Sequence, residues 1–320
     1  MSSNHDHGPL GEPEVIEVAD RVFAYIQPDG TWWINNTGFL AGRRQTIAID
    51  ASSTDRRTTR FIDTIGTHAS APVTTLINTH HHGDHTNGNY LFERATIVGH
   101  ERCRAAMLAD GVEGVEALRN AGVFMGPDGP PDWGRAVVEP PFVTFADGVT
   151  VYADDIRAEV RYIGTPAHTT NDSIIWLPEQ KVLYCGDLLF NGGTPFLLMG
   201  SLAGAIQAVE SLKSVDADVV IPGHGPVCDL SVADQVLGYL RFVDDLARSA
   251  HGAGISPLEA ARATDLGEYA ALTDSERIVG NLHRAYAELD GLERGGTIDT
   301  RAAIGDMVAY NGGKPLTCYA

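Results

Sequence analysis

Cysteine is scarce: four in 320 residues, at positions 103, 185, 228 and 318, with no Cys-x-x-Cys pair among them. That spacing argues against a disulfide framework and for reduced thiols in a cytosolic chain. Basic residues are also few, 23 Lys and Arg against 42 Asp and Glu, for a formal charge of −19. A surface this acidic repels phosphate backbones and anionic lipid, so neither nucleic acid nor a membrane is the expected partner. No apolar run reaches the ~18 residues needed to span a bilayer. The opening "MSSNHDHGPLGEPE" has no basic segment followed by an apolar one. No signal peptide and a cytoplasmic location are therefore expected. His5 and His7 belong to a flexible tail over residues 1–13.

What remains is ordinary for a globular enzyme: 43% apolar and 20% charged residues, with 35 glycines that imply many tight turns. Alternation of apolar and polar residues predicts strands over 14–27, 32–42 and 43–52. "STDRRTTRFIDTIGTHA" predicts a helix capped by Ser53 or Thr54, with Phe61, Ile62 and Ile65 on one face. A short apolar strand over 73–78 follows, then one over 94–100 and a helix through Met107. Residues 122–141 are rich in Gly and Pro and predict a long irregular connection. Strands dominate 142–190. A helix over 201–215 and a strand over 217–225 complete the pattern, and the remainder reads as helical. Ser256, Pro257 and Glu259 form a capping box. Ile278, Leu282, Ala285 and Leu289 make one apolar stripe that stops at Gly291. The order strand, helix, strand implies parallel pairing, and its recurrence hints at two similar halves.

The concentration of chemistry lies in "INTHHHGDHTNG", Ile77 to Gly88. His80, His82, Asp84 and His85 directly follow a strand, and "GDHTNG" is turn chemistry. Imidazole nitrogen and carboxylate oxygen suit Zn²⁺, Mn²⁺ or Fe. Four such groups in six residues crowd a single tetrahedral ion. Two adjacent ions relieve this, His80 and His82 serving one, Asp84 and His85 the other. Further ligands stand at three later strand ends: His168 after "RYIGTPA", Asp187 after "KVLYCG", His224 after "VVIPG". A lone histidine at a strand end is usually structural. The recurrence of the same placement makes the set a ligand set.

"THHHGDH" matches the T-H-x-H-x-D-H signature of the metallo-β-lactamase-fold hydrolases, and "TPAHTTNDS", "YCGDLLF" and "IPGHG" match that family's later motifs in order. Over roughly residues 14–230 the sequence resembles this family. The resemblance implies an α/β fold, a four-layer αββα sandwich with the site between its sheets, here as a catalytic domain over 14–230 followed by a helical C-terminal extension over 231–320. It implies that His80, His82 and His168 hold one metal, that Asp84, His85 and His224 hold a second, and that Asp187 bridges both. Asp50, ending "TIAID", would support the histidine loop. Ala167 replaces the usual Gly before the histidine, and "TND" stands where "PGS"-like residues are common; both bear on loop shape. Cys185 reads as a core residue, His81 as pointing away from the metals, and His100 as capping or packing; His283 stays unassigned.

These residues imply a binuclear metal-dependent hydrolase, most naturally with two Zn²⁺. A hydroxide shared by the ions would attack a carbonyl ester, thioester, lactone or amide, with Asp84 orienting it or carrying its proton. Trp32, Trp33, Phe190, Phe196, Leu197 and Met199 are candidates for a wall against a flat or greasy acyl substrate. "GTWWINNTG", "GDLLFNGGTPF" and "SPLEAARATDLGEY" with "ERIVGNLHRAYAEL" look similar to metal-dependent cyclases and thioesterases of aromatic polyketide pathways. An aldol ring closure is the alternative reading. A β-lactamase and a binding protein that lost its chemistry rank below both. The sequence is compatible with a homo-oligomer and does not specify one.

Overall fold

A computed structural model describes residues 10–28 and 30–320. His5, His7, the rest of residues 1–9 and Asp29 lie outside the described residues, and with them most of the expected flexible tail.

The chain begins with β1 (Glu14–Ala19), β2 (Val22–Ile26), β3 (Thr37–Ala41) and β4 (Thr46–Ile49), then α1 (Asp55–His68), β5 (Val73–Ile77) and the single turn α2 (Gly83–Thr86). β6 (Thr96–His100), α3 (Glu101–Asn120), the two-residue β7 (Phe124–Met125) and β8 (Val143–Phe145) follow. The second half contains β9 (Gly148–Ala153), β10 (Ile156–Tyr162), β11 (Ser173–Leu177), β12 (Val182–Phe190), α4 (Leu202–Leu212) and β13 (Val219–His224). The C-terminal part holds α5 (Val232–Gly252), α6 (Pro257–Ala263), α7 (Arg277–Leu289), α8 (Thr300–Tyr310) and β14 (Leu316–Thr317).

A seven-stranded sheet runs β1-β2-β3-β4-β5-β6-β8 and a five-stranded sheet runs β13-β12-β11-β10-β9. The β4–β5, β5–β6 and β12–β13 pairs are parallel, as the strand–helix–strand order requires. β2, β3, β4, β11 and β12 are buried along their whole length, whereas β1, β9 and β10 carry charged or exposed residues on one face, and the period of two sorts the side chains into different layers. Val22, Ala24 and Ile26 of β2 point between the sheets, where Leu40, Ile47 and Ile49 meet Val160, Ile175, Val182 and Tyr184. Phe23 and Tyr25 point the other way, onto Phe61 and Ile65 of α1. Across the second sheet, Leu183 and Cys185 pack against α4, α5 and α7. Three apolar layers therefore separate helix, sheet, sheet and helix, which is the αββα sandwich. The sheets approach closely at Gly38, where a Cβ would lie 2.4 Å from Tyr184 Cε1. Tyr184 Oη donates across the gap to Phe23 O at 2.9 Å.

Several expectations change. Residues 32–36 are not strand: Trp33 takes φ +66°, which breaks the extended run, and pairing starts at Thr37. The helix after β6 does not end near Met107. It reaches Asn120 across a break at Gly111, φ +57° and ψ −174°. "GDHT" forms a helical turn rather than an open turn. The irregular stretch 122–141 carries β7, which pairs in parallel with β14 near the chain's end. The C-terminal part is thus helical until a closing strand. Thr54, not Ser53, caps α1, by accepting from Arg57 N. The capping box at Ser256 and Glu259 is formed.

Candidate metal centre

β5 ends at Ile77 and delivers His80, His82, Asp84 and His85 at the edge of the sandwich; β12 delivers Asp187, β13 His224, and the turn before β11 His168. Two groups result. Donor atoms of His80, His82, His168 and Asp187 lie within 4.8 Å of one another, and so do those of Asp84, His85, Asp187 and His224. Asp187 is common to both. His168 Nε2 and His224 Nε2 are each 3.3 Å from Asp187 Oδ2, and His85 Nε2 is 3.0 Å from its Oδ1. His224 Nε2 is also 3.2 Å from Asp84 Oδ2.

Surrounding groups fix which nitrogen each imidazole offers. His168 Nδ1 donates to Phe196 O at 2.5 Å, and His224 Nδ1 to Gly30 O at 3.1 Å. Thr79 Oγ1 donates to Asp50 Oδ2, so it accepts from His80 Nδ1 at 3.0 Å. His85 Nδ1 meets Asp50 Oδ2 at 2.8 Å. In all four the Nε2 atom is left for the centre, the usual arrangement of a ligating histidine. His82 is reversed: its Nδ1 faces His168 Nε2 at 2.8 Å and its Nε2 faces Met199 Sδ at 3.3 Å.

Asp50 sits in the left-handed region at φ +58°. That conformation costs an L-residue ~1–2 kcal/mol. It turns the carboxylate back onto the histidine loop, where Oδ1 accepts from Thr79 N at 2.8 Å and Oδ2 from Thr79 Oγ1 at 2.7 Å. Asp50 thus hydrogen-bonds Thr79 and meets His85, the two ends of the histidine loop.

Burial, reinforced by neighbouring imidazoles, pushes His80 and His82 well below the ordinary histidine value, so both are neutral donors. Burial acts downward on His85 and His224 as well, but Asp187 and Asp84, with Asp50 at His85, outweigh it and raise both, His224 to about 8, so a cation must displace their protons to bind there. At Asp187 burial works upward, but His224, His85 and His168 outweigh it and keep the carboxylate ionised. The donor chemistry fits divalent cations on a further count. His80 Nε2 is buried with no hydrogen-bond partner, and His85 Nε2 and Asp187 Oδ1, although 3.0 Å apart, are not aligned as a hydrogen bond and have no other. Orphaned polar atoms converging in a protein interior are costly unless a ligand satisfies them.

The centre opens into a cavity of about 310 Å³. Trp32, Trp33, Phe190, Phe196 and Met199 line it as expected. Leu197 does not: it is buried in the helical layer, and its neighbour Leu198 takes the cavity position. Sequence reasoning missed the far wall, built by Met107, Val115 and Leu118 of α3 with Ile304 and Met307 of α8. Apolar spacing within these helices was the available signal, but spacing does not tell which cavity a helix faces. Arg277 was also missed. Its guanidinium lies 4.2 Å from the Trp32 ring centroid, while Glu276 Oε1 accepts from Trp32 Nε1 at 2.7 Å.

The other singled-out residues have structural roles. His81 Nδ1 accepts from Asn171 Nδ2 at 3.0 Å, away from the ligand nitrogens. His100 caps α3, its ring accepting from Arg102 N, while Nε2 donates to Ala146 O. His283 pairs with Asp306, joining α7 to α8. Cys185 is a buried free thiol.

A family model described as the metallo-beta-lactamase superfamily matches residues 30–224, more than half of the chain. The chain belongs to the metallo-β-lactamase superfamily. It is 32% identical over 153 residues to a hydroxyacylglutathione hydrolase of Rhodospirillum rubrum, covering 48% of each chain, so the match spans about half of that relative. It is 24% identical to a metallo-beta-lactamase type 2 of Bacteroides fragilis, covering 66% of this chain and 78% of the relative. It is 23% identical to an acyl-coenzyme A thioesterase of Bos taurus, covering 61% and 78%. Among solved structures, a metallo-beta-lactamase from Pontibacter korlensis superposes with a TM-score of 0.56 at 22% identity, covering 72% of this chain and 99% of that one. That likeness speaks for the sandwich alone.

Proposed function

We propose that this protein is a binuclear metallo-hydrolase that cleaves an ester or thioester bond carrying an apolar acyl group. The observation that carries the reading is the pair of ligand groups sharing Asp187 at the mouth of a cavity walled by Trp32, Trp33, Phe196 and Met199. His80, His82, His168 and Asp187 would hold one divalent cation, and Asp84, His85, Asp187 and His224 the second, zinc being the natural occupant and manganese or iron the alternatives. Such a pair supplies Lewis acidity and lowers the pKa of water.

The chain's own residues supply the rest. Aromatic walls hold the acyl group and exclude water from one side of the carbonyl. Asp84 lines the cavity. Burial there works upward on its carboxyl, but His85 and His224 outweigh it and hold the group below the usual carboxylate range. It is therefore ionised and can accept a hydrogen bond from the attacking water; the same shift makes it a weak base, so it would carry a proton to a leaving alkoxide or thiolate only in passing. Asp50 keeps His85 and the 79–85 loop in register. The formal charge of −19 disfavours a nucleic-acid or anionic-lipid substrate and so agrees with a small-molecule acyl substrate.

The test is metal analysis of purified protein beside a panel of acyl thioesters, esters, lactones and a β-lactam. Two equivalents of metal per chain and turnover of an apolar thioester or ester are expected, with turnover lost on His82→Ala. A His82→Ala variant that cleaves at the wild-type rate would refute the assignment. The flat aromatic walls also favour the cyclase reading. A poly-β-ketone thioester that yields a ring rather than a free acid would decide for it.

A further inference from the structure

The family match ends at residue 224, whereas α7 begins at Arg277. This helix carries three polar side chains inside the core. Arg277, Asn281 and Arg284 are 2%, 0% and 1% exposed. Positions i, i+4 and i+7 share one helix face. Groups of this kind are not buried without partners; Arg277 pairs with Asp274 at 2.8 Å, Asn281 also donates to Tyr239 Oη and Arg284 to Gly296 O, and the remaining partners of all three fall on one segment.

Arg277 Nη1 donates to Thr194 O at 2.9 Å, and Asn281 Nδ2 donates to Pro195 O at 2.8 Å. Asn281 Oδ1 accepts from Leu197 N at 2.9 Å. Arg284 donates to Leu198 O through Nε at 3.2 Å and Nη2 at 2.7 Å. Four backbone groups within residues 194–198 are thereby held by one helix. The carbonyl between them, Phe196 O, is the one that accepts from His168 Nδ1 at 2.5 Å.

We propose that α7 is a positioning element for His168: by clamping the 194–198 segment, Asn281 and the flanking arginines fix the carbonyl that sets the tautomer and ring orientation of this ligand. The inference rests on the metal-binding reading above and assigns to a helix outside the family match a task at the centre. None of the three residues touches a donor atom of the centre, so they are positioning residues. A ligand whose outer hydrogen bond is loosened typically loses 10–100-fold in metal affinity. The effect should fall on the group containing His168 and spare the group of Asp84, His85 and His224.

Full-length protein is loaded with zinc, and the two dissociation constants are measured by competition with a chromophoric chelator; cobalt spectra report the geometry of each position. Asn281→Leu should weaken one position about 10–100-fold and leave the other within twofold. Leu282→Ala serves as the control, because it destabilises the same helix without removing any hydrogen bond to the segment; its Tm should fall with both affinities unchanged. Should Asn281→Leu not fold, Arg284→Met and Arg284→Lys carry the comparison, since lysine can still donate to Leu198 O and methionine cannot. Lysine should retain most of the affinity that methionine loses. Loss at both positions together, or affinities in Asn281→Leu and Arg284→Met equal to those of Leu282→Ala, would overturn the clamp while leaving the metallo-hydrolase reading intact. Wild-type protein that binds no zinc would overturn both.

Discussion

Glu276 is a carboxyl in a place that does not welcome charge. Burial first, and the negative charge of Asp274 second, raise its pKa from the ordinary 4.5 to about 7, against the pull of Trp32 Nε1 and Arg277. The folded state therefore keeps a proton that the unfolded chain gives up above pH 4.5. Its contribution to stability is fully present below 4.5 and is lost as pH rises through about 7. Each unit of displacement is worth ~1.4 kcal/mol. Gln at this position cannot ionise, yet its amide oxygen can still accept from Trp32. Glu276→Gln is expected to melt at or near the wild-type temperature at pH 4.5 and several degrees above it at pH 8. Melting curves across that range decide the matter; a difference that does not change with pH would mean that Glu276 is ionised in the folded protein throughout. The residue scale is also where the sequence was most informative. His80, His82, Asp84 and His85 were legible because they crowd six positions. His168, Asp187 and His224 were legible because each follows an apolar run and adjoins a Gly or Pro, although Asp187 proves to lie inside β12, which continues to Phe190, rather than after a strand. Glu276 and Arg277 carried no such mark, being two charges in an ordinary amphipathic helix start.

At the scale of elements, the presence of strands was read better than their ends: the run over 14–27 folds back at Arg21, φ +60°, into β1 and β2, and the segments between strands were read poorly. The reason is physical. A strand apolar on both faces has no other place than between two layers, whereas backbone at φ > 0 can terminate a run that composition alone would extend, as at Trp33, or break a helix that then resumes, as at Gly111. Two glycines show how differently such positions matter. A Cβ on Gly223, in β13, would lie 1.8 Å from Asp187 Oδ1 and 2.7 Å from the Gly186 carbonyl carbon. Neither neighbour can yield without moving the shared carboxylate. Gly223→Ala is expected to reduce metal content to below one equivalent per chain and to abolish turnover. Gly111, at the break in α3, has no atom within 4 Å of an added Cβ, and its cost is the backbone itself, φ +57° with ψ −174°, a conformation left almost wholly to glycine. Gly111→Ala should lose about 1–3 kcal/mol of stability with metal content unchanged. Paired metal analysis and denaturant melts test the contrast. Full metal occupancy in Gly223→Ala would show that β13 and β12 can separate at no cost to the centre.

For the whole molecule, the question is what holds two sheets together at the end where their charges meet. Between the sheets the contact is apolar and continuous, from Val22 and Ile49 to Val160 and Tyr184. At the site end it gives way to Asp84, Asp187 and five histidines drawn from both halves of the chain. Here backbone links are few: Asn36 N donates to Gly223 O at 2.7 Å and Ser173 N to Thr79 O at 2.9 Å. Cations bound there would tie β5, β12 and β13 to one another through their side chains. A ligand that binds only the folded state stabilises it by mass action, ~2.7 kcal/mol at one hundred times its dissociation constant. Chelation is therefore expected to lower Tm by several degrees, and zinc added back should restore it with a dependence on free metal concentration. His82→Ala should show a smaller response, because the second group keeps its four ligands. A Tm indifferent to chelator and to added zinc would mean that the sandwich closes without the ions, and that the buried, unpartnered nitrogens of His80 and His85 are tolerated by the apolar layers alone.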